Sequence, residues 1–252
     1  MPSIDDLRIK LFADGADIAG ILALRRNPRI GPLVRGFTTN PTLMRKAGVL
    51  DYEAFARSLL RVVPGHPVSF EVFAADEDTM EAQARAIASW GPNVNVKIPV
   101  TGQDGVFMGP LIQRLSRDGI AVNVTAVLTL DQVQRVARAL HPATPAIVSV
   151  FAGRIADTGV DPAPIMRRAR RVLAALPLAE LLWASPRELL NIFQANASGC
   201  HIITVPPEFL AKLSLIGKNL ADYSLETVNM FHRDALAAAY RINTSAPIPS
   251  ND

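Results

Sequence analysis

Eight short β-forming runs, each followed by a stretch able to form a helix or helical turn, predict an α/β fold for this chain: a single-domain (β/α)8 barrel. Two further observations agree. A chain of 252 residues has the length of one ordinary barrel, and a hydrophobic share of 49% is enough for a large core. No low-complexity linker divides the chain, and no repeat of roughly 20 to 50 residues stands out beyond the alternation itself.

The runs are, in order, "RIKLFA", "VRGFTT", "PVSFEVF", "VNVKIP", "IAVNVTA", "PAIVSVF", "ELLWAS" and "CHIITVP". Their β-branched and aromatic residues suit a pleated, buried surface. Helix entries support the alternation: Asn40 is placed as an N-cap with Pro41 at the first helical position, and Ser185 with Pro186 repeats the pattern. The barrel is expected over residues 1–221. Beyond it, the polar segment from Lys218 to Ser224 precedes "LETVNMFHRDALAAAY", which reads as an additional C-terminal helix from Leu225 to Tyr240 within residues 222–242. A helix appended to a closed barrel has no strand to cover. It either docks on another subunit, so that a homo-oligomer is expected, or packs across its own barrel. Residues 243–252, "NTSAPIPSND", are expected to be a disordered tail.

Composition excludes several classes. The formal charge is only +3, and the basic run "RRARR" from Arg167 to Arg171 lies in a helical stretch without interleaved aromatics. It reads as a solvated helix face, and no nucleic-acid partner is expected. An apolar run of ~18 residues is missing, and "MPSIDDLRIK" lacks the apolar region of a signal peptide, so no membrane partner and a cytoplasmic location are expected. The single cysteine, Cys200, allows no intrachain disulfide and reads as a buried strand thiol. His66, His141, His201 and His232 are scattered without ligand spacing, so neither a metal nor a cofactor is expected.

Active sites of such barrels lie at the carboxyl ends of the strands, and polar residues collect there. They are Asp14, then Thr38, Thr39 and Asn40, then Glu71, Lys97, Asn123 with Thr125, Ser149 with Arg154, and Ser185. Each alone has a structural explanation: a cap for Asn40, a turn for Asp14, an ordinary strand position for Thr125. Together they converge on one rim. Lys97 is the informative member, because an ammonium inside a β-run of "VNVKIPVTG" loses hydration that an apolar residue would not need. A desolvated lysine is more readily a neutral amine, which can add to a ketone and form a Schiff base; the iminium then withdraws electrons and makes an adjacent carbanion accessible as an enamine. An ion pair with Glu71 or Asp14 is the structural alternative.

At this point the sequence resembles the transaldolase family and its relatives, the fructose-6-phosphate aldolases, over about residues 8–240. Four ordered motifs carry the resemblance: "FADGAD", "GFTTNPT", "VKIPVT", and "NVTAV" followed by "SVFAGRIADTG". The resemblance implies a (β/α)8 TIM barrel with Lys97 as the Schiff-base lysine and Asp14 as the acid/base at the substrate's C4 hydroxyl. It implies that Glu71 and Thr125 hold a catalytic water, that Thr39, Asn40 and Asn123 lie at the substrate, and that Ser149, Phe151, Arg154 and Ser185 meet it, with the Arg154 guanidinium on a phosphate. The implied partner is a small sugar phosphate. Glu71 and Phe151 stand where the aldolase relatives resemble one another in carrying glutamine and tyrosine, which favours transfer of a dihydroxyacetone unit over its release. One departure stands out: transaldolases that resemble the family type read "ASFR" after strand seven, and this chain reads "WASPRELL". Arg187 is the candidate second phosphate contact, with a solvent-facing position as its alternative. An aldolase, or a transferase of an unusual sugar, is the runner-up; a non-catalytic sugar-phosphate binder is the remote reading.

Overall fold

A computed structural model describes residues 3–244, and the chain divides into two compact units, one of residues 4–214 and one of Ser3 with the segment from Leu215 onward. In the first unit, eight parallel strands hydrogen-bond in sequence order and close on themselves: β1 (Lys10–Asp14), β2 (Val34–Thr38), β3 (Val68–Glu71), β4 (Val94–Pro99), β5 (Val122–Val127), β6 (Ala146–Val150), β7 (Ala179–Trp183) and β8 (Ile202–Val205). Each coincides with one of the eight runs in the sequence, and the barrel expectation is borne out. Between and after the strands lie α1 (Ile18–Arg26), α2 (Pro41–Lys46), α3 (Tyr52–Val62), α4 (Glu77–Ala88), α5 (Gly109–Arg117), α6 (Leu130–Ala139), α7 (Ala152–Ala156), α8 (Ala163–Val172), α9 (Leu190–Ala197) and α10 (Pro207–Ala211).

The outer helices form because their apolar residues recur at helical spacing and their ends are capped. Met80, Ala84 and Ile87 of α4, and Val133, Val136 and Ala139 of α6, are buried stripes. Thr129 and Gln132 form a reciprocal capping box at the start of α6. Helix α8 turns Met166 and Ala169 inward and leaves Arg167, Arg168 and Arg171 exposed, so the basic run is an outer face.

Inside the barrel, side chains two positions apart on a strand point the same way, which builds layers. Phe12, Ile147, Leu182 and Ile202 form a buried apolar cluster. Two positions further along stand Asp14, Ser149 and Thr204 on their strands and Ala184 just past β7, the last still packed against the apolar cluster. The lower layer is therefore a hydrocarbon floor and the upper layer a mostly polar one. Burial of each large floor side chain contributes about 1.5–3 kcal/mol relative to exposure. Gly36 is needed beside this floor, because a Cβ there would lie 2.5 Å from Cζ of Phe12.

Three local expectations are corrected. Ser185 does not cap a helix: its φ is +58° and α9 begins at Leu190. An N-cap typically has extended backbone; here Leu189 precedes α9 without a side-chain cap, and Asn191 Oδ1 accepts from the backbone N–H of Arg187 at 2.7 Å and of Glu188 at 3.2 Å in the segment that leads into the helix. Cys200 is buried but precedes β8, and burial pushes its thiol up to about 12. In the second unit the helix α11 (Leu220–Ala237) starts at Leu220, not at Leu225, because Asn219 Oδ1 accepts from Ala221 N at 2.8 Å and Asp222 N at 3.2 Å. The segment read as a polar separator is thus largely the helix's opening turns. Of the expected tail, residues 245–252 lie outside the described residues. Among the described residues no helix is long and apolar enough to cross a membrane.

Candidate active site

The carboxyl ends of the strands open into a pocket of about 460 Å³. Asp14, Asn40, Glu71, Lys97, Asn123, Thr125, Ser149, Phe151, Arg154 and Ser185 all line it. A wider cavity of about 740 Å³ lies at the opposite, amino end of the strands, lined by residues such as Arg8, Lys10, Arg35 and Glu180. Its ion pair of Lys10 with Glu180 at 2.8 Å is solvent-accessible, and among the described residues that line it none is an enclosed nucleophile. Size therefore does not decide the site; the chemistry of the lining does.

Two backbone irregularities shape the mouth. The β5–β6 pairing slips between Val124 and Val127, and Ala126 in that bulge has φ +59°. Together with Ser185 it gives two non-glycine residues in the left-handed region, both lining the pocket. Each such conformation costs of order 1–3 kcal/mol and persists where surrounding structure imposes it, as functional sites often require. Gly153 enforces the second, because a Cβ there would approach the Ser185 carbonyl oxygen to 1.5 Å. Only glycine lets α7, which carries Arg154, come this close to the end of β7.

Lys97 is 7% exposed, and its Nζ donates to Glu71 Oε2 at 2.9 Å and to the Thr39 carbonyl at 3.0 Å. Glu71 is therefore within hydrogen-bond reach of the amine, as a proton-exchange partner must be. Glu71 is itself fixed: Tyr52 Oη donates to its carbonyl and accepts from its N–H, both at 2.8 Å. Burial raises the Tyr52 phenol above its ordinary pKa, which keeps it a neutral double partner. Beside Lys97, on the neighbouring strands, Ser149 Oγ donates to Asn123 Oδ1 at 2.6 Å, and Asn123 Nδ2 donates to Ser69 Oγ at 3.0 Å. This chain orients the Asn123 amide. Thr125 is 2% exposed, and its hydroxyl has no hydrogen-bond partner within the described residues although it lines the pocket.

Asp14 is half-buried, and Thr38 Oγ1 donates to its Oδ1 at 2.7 Å. Desolvation by burial raises its pKa most; the Thr38 hydrogen bond and the charge of Lys97 oppose this, and Glu71 and Glu208 add to the rise. At the outer edge, the Arg154 guanidinium lies 5.5 Å from the Phe151 ring centroid, a cation–π distance. Asn40 Oδ1 caps α2 through the Leu43 N–H at 3.0 Å while the residue also lines the pocket.

Two of the residues named from the sequence stand elsewhere. The Thr39 side chain is fully buried away from the pocket lining, and its carbonyl, not its hydroxyl, meets Lys97. Arg187 is outside the lining too: its Nε donates to Asp157 Oδ1 at 2.9 Å in a two-pronged, half-exposed ion pair. The sequence reading also passed over Tyr52, Ser69 and Thr204. Thr38 and Thr204 were discernible as strand threonines two positions beyond an inward residue; Tyr52, on a helix, carried no such signal.

A closed parallel barrel with an ionisable, partly desolvated cluster at its carboxyl mouth belongs to the class of (β/α)8 barrels. Sequence comparison makes the class specific. Residues 11–246 match the Transaldolase/Fructose-6-phosphate aldolase family. The chain is 36% identical over 220 residues to a "Probable transaldolase" of Streptococcus agalactiae, covering 87% of this chain and 95% of that protein. It is 36% identical over 206 residues to a "Probable transaldolase 2" of Listeria monocytogenes, covering 81% and 88%. The chain belongs to the transaldolase/fructose-6-phosphate aldolase family. Among solved structures it resembles a dihydrodipicolinate synthase from Rhodopseudomonas palustris, with a TM-score of 0.57, 15% identity, and coverage of 96% of this chain and 93% of that one. That likeness concerns the barrel fold alone.

Proposed function

We propose that the protein transfers a dihydroxyacetone unit from a ketose phosphate to an aldehyde through a Schiff base on Lys97. The observation that carries this reading is the position of that one amine: enclosed, inside the pocket, with Glu71 2.9 Å away as proton acceptor. The neutral amine adds to the C2 carbonyl, and the carbinolamine loses water as Glu71 and Thr125 handle the protons. Asp14 then takes the C4 hydroxyl proton; the oxygen's electrons form the aldehyde carbonyl, and the C3–C4 bonding pair moves into the enamine. The aldehyde leaves, and an acceptor aldehyde reverses the steps. Asn40, Asn123 and Ser149 orient the hydroxyls, and Arg154 and Ser185 hold the phosphate. Arg187, committed to Asp157, is left out of that contact.

Release of free dihydroxyacetone is the second reading, favoured by the same observation: with Arg187 turned to Asp157, the pocket offers a phosphorylated acceptor only the Arg154 guanidinium. One experiment tests both. Fructose 6-phosphate is incubated with the protein and borohydride, and the mass of the Lys97 peptide is read; donor consumption and free dihydroxyacetone are then followed with and without aldose phosphates. An adduct on Lys97 and acceptor-dependent turnover are expected. An unmodified Lys97 would reject the Schiff base, and turnover independent of acceptor would make the protein an aldolase. The charge of Glu71 favours retention of the iminium, so Glu71→Gln should shift the product ratio toward free dihydroxyacetone.

The protein is further read as a cytoplasmic homo-oligomer. Within α11, Leu225, Val228, Phe231 and Leu236 are each more than 60% exposed or at that value, an apolar surface that a lone helix does not keep in water. A second copy of the chain is the proposed cover. Light scattering that returned the 27.2 kDa monomer mass would reject it.

A further inference from the structure

Asp14 has a second supporter behind the threonine that touches it. Thr38 Oγ1 bonds Asp14 Oδ1 at 2.7 Å and, on its other side, forms a hydrogen bond with Thr204 Oγ1. A hydroxyl has one proton, and an ionised carboxylate can only accept, so the direction of the chain is fixed. Thr38 gives its proton to Asp14 and must accept from Thr204. Parallel pairing of β1 with both β2 and β8 brings the three side chains together, although Thr38 and Thr204 are 166 residues apart in sequence. Thr204 is 7% exposed and lines the pocket.

We propose that Thr204 is a positioning residue: by donating to Thr38 it keeps the Thr38 proton on Asp14, and so holds that carboxylate ready to receive a proton from the substrate. This rests on the assignment of Asp14 as the base at the C4 hydroxyl. The groups that face Asp14 are Thr38 from β2, Glu71 from β3, Lys97 from β4 and Glu208 from α10. Burial, Glu71 and Glu208 disfavour its charge, whereas Thr38 and Lys97 favour it. The charge of Lys97 varies through the catalytic cycle, from ammonium to amine to iminium. The threonine pair is the one favourable influence that stays constant.

Thr204→Val keeps the side-chain shape and removes the hydroxyl; Thr204→Ser restores it. With fructose 6-phosphate as donor, Thr204→Val is expected to trap on Lys97 as the wild type does, to lose about tenfold in kcat at unchanged KM, and to move the acid limb of its pH profile upward by about half a unit. Thr204→Ser should restore both. An acid limb that stays in place, a loss confined to KM, or a loss that serine does not restore overturns the proposal. The carboxyl 13C resonance of Asp14 in the unliganded protein supplies an arm independent of the reaction. Its midpoint should rise in Thr204→Val and return in Thr204→Ser; an unmoved midpoint overturns the relay. A raised midpoint in a protein whose wild type forms no Schiff base would reject the proposed reaction and leave the relay standing.

Discussion

The two layers inside the barrel are separated by one pleat repeat and obey opposite rules. In the lower layer, Phe12, Ile147, Leu182 and Ile202 are at most 4% exposed and present only hydrocarbon to one another. In the upper layer, the same strands carry Asp14, Ser149 and Thr204, with Lys97, Glu71 and Thr125 completing the ring. Dispersion and burial make the floor stable. The upper layer holds partly desolvated charges and two residues with left-handed backbone at its edge, all of which detract from stability. The difference teaches that the floor stabilises a ring that would not hold itself, and that substitutions should separate along the same line.

The largest effect should come from the upper layer and fall on chemistry alone. Lys97→Arg keeps a cation beside Glu71 but removes the usable nucleophile, so turnover should fall by at least about four orders of magnitude and borohydride trapping should vanish, with little change in melting temperature. Residual trapping would break the assignment. Next comes the floor: Phe12→Ala should cost about 3–5 kcal/mol in denaturant-measured stability, because the cavity beside Gly36 cannot collapse in a closed barrel. Below its lowered melting point the variant should still trap substrate, and a loss of trapping there would show that the layers are not separable.

Arg154→Ala tests the rim. A charge-assisted hydrogen bond is worth about 1.5–3 kcal/mol, so KM for a phosphorylated ketose should rise roughly tenfold to a hundredfold while an unphosphorylated ketose is little affected. Equal losses for both would make Arg154 a structural partner of Phe151. The smallest effect concerns Asp14 and has the opposite sign. Burial raises its pKa in the folded protein, so its favourable contribution is fully present below the unfolded carboxylate value of about 3.9 and is lost as pH rises through the higher folded value. Asp14→Asn cannot ionise, and it should therefore be more stable than the wild type near neutral pH, with the gap closing in acid. Thermal melts across pH would check this; a less stable variant at pH 7 would mean that the Thr38 and Lys97 contacts outweigh burial.

Much of this was readable along the chain, and the reason is local. Eight strands and their helices announce themselves through short-range periodicity, and Asn40 with Pro41 is a cap that four consecutive residues specify. Lys97 was conspicuous because a charge inside a β-run conflicts with its neighbours, and Asp14, Glu71 and Thr125 stood out as polar residues at the carboxyl ends of the strands, with roles that the family motifs imply. The sequence determined by itself the fold class, the rim and the family motifs. Tertiary structure alone decided how the groups are partnered. Arg187 turns to Asp157, 30 residues away; Ser185 is held in left-handed backbone by the approach of Gly153; and Thr204 reaches Asp14 through Thr38 only because the barrel closes β8 onto β1. Hydrogen bonds and steric contacts of this kind depend on distances of a few ångströms between segments remote in sequence, and periodicity carries no information about them.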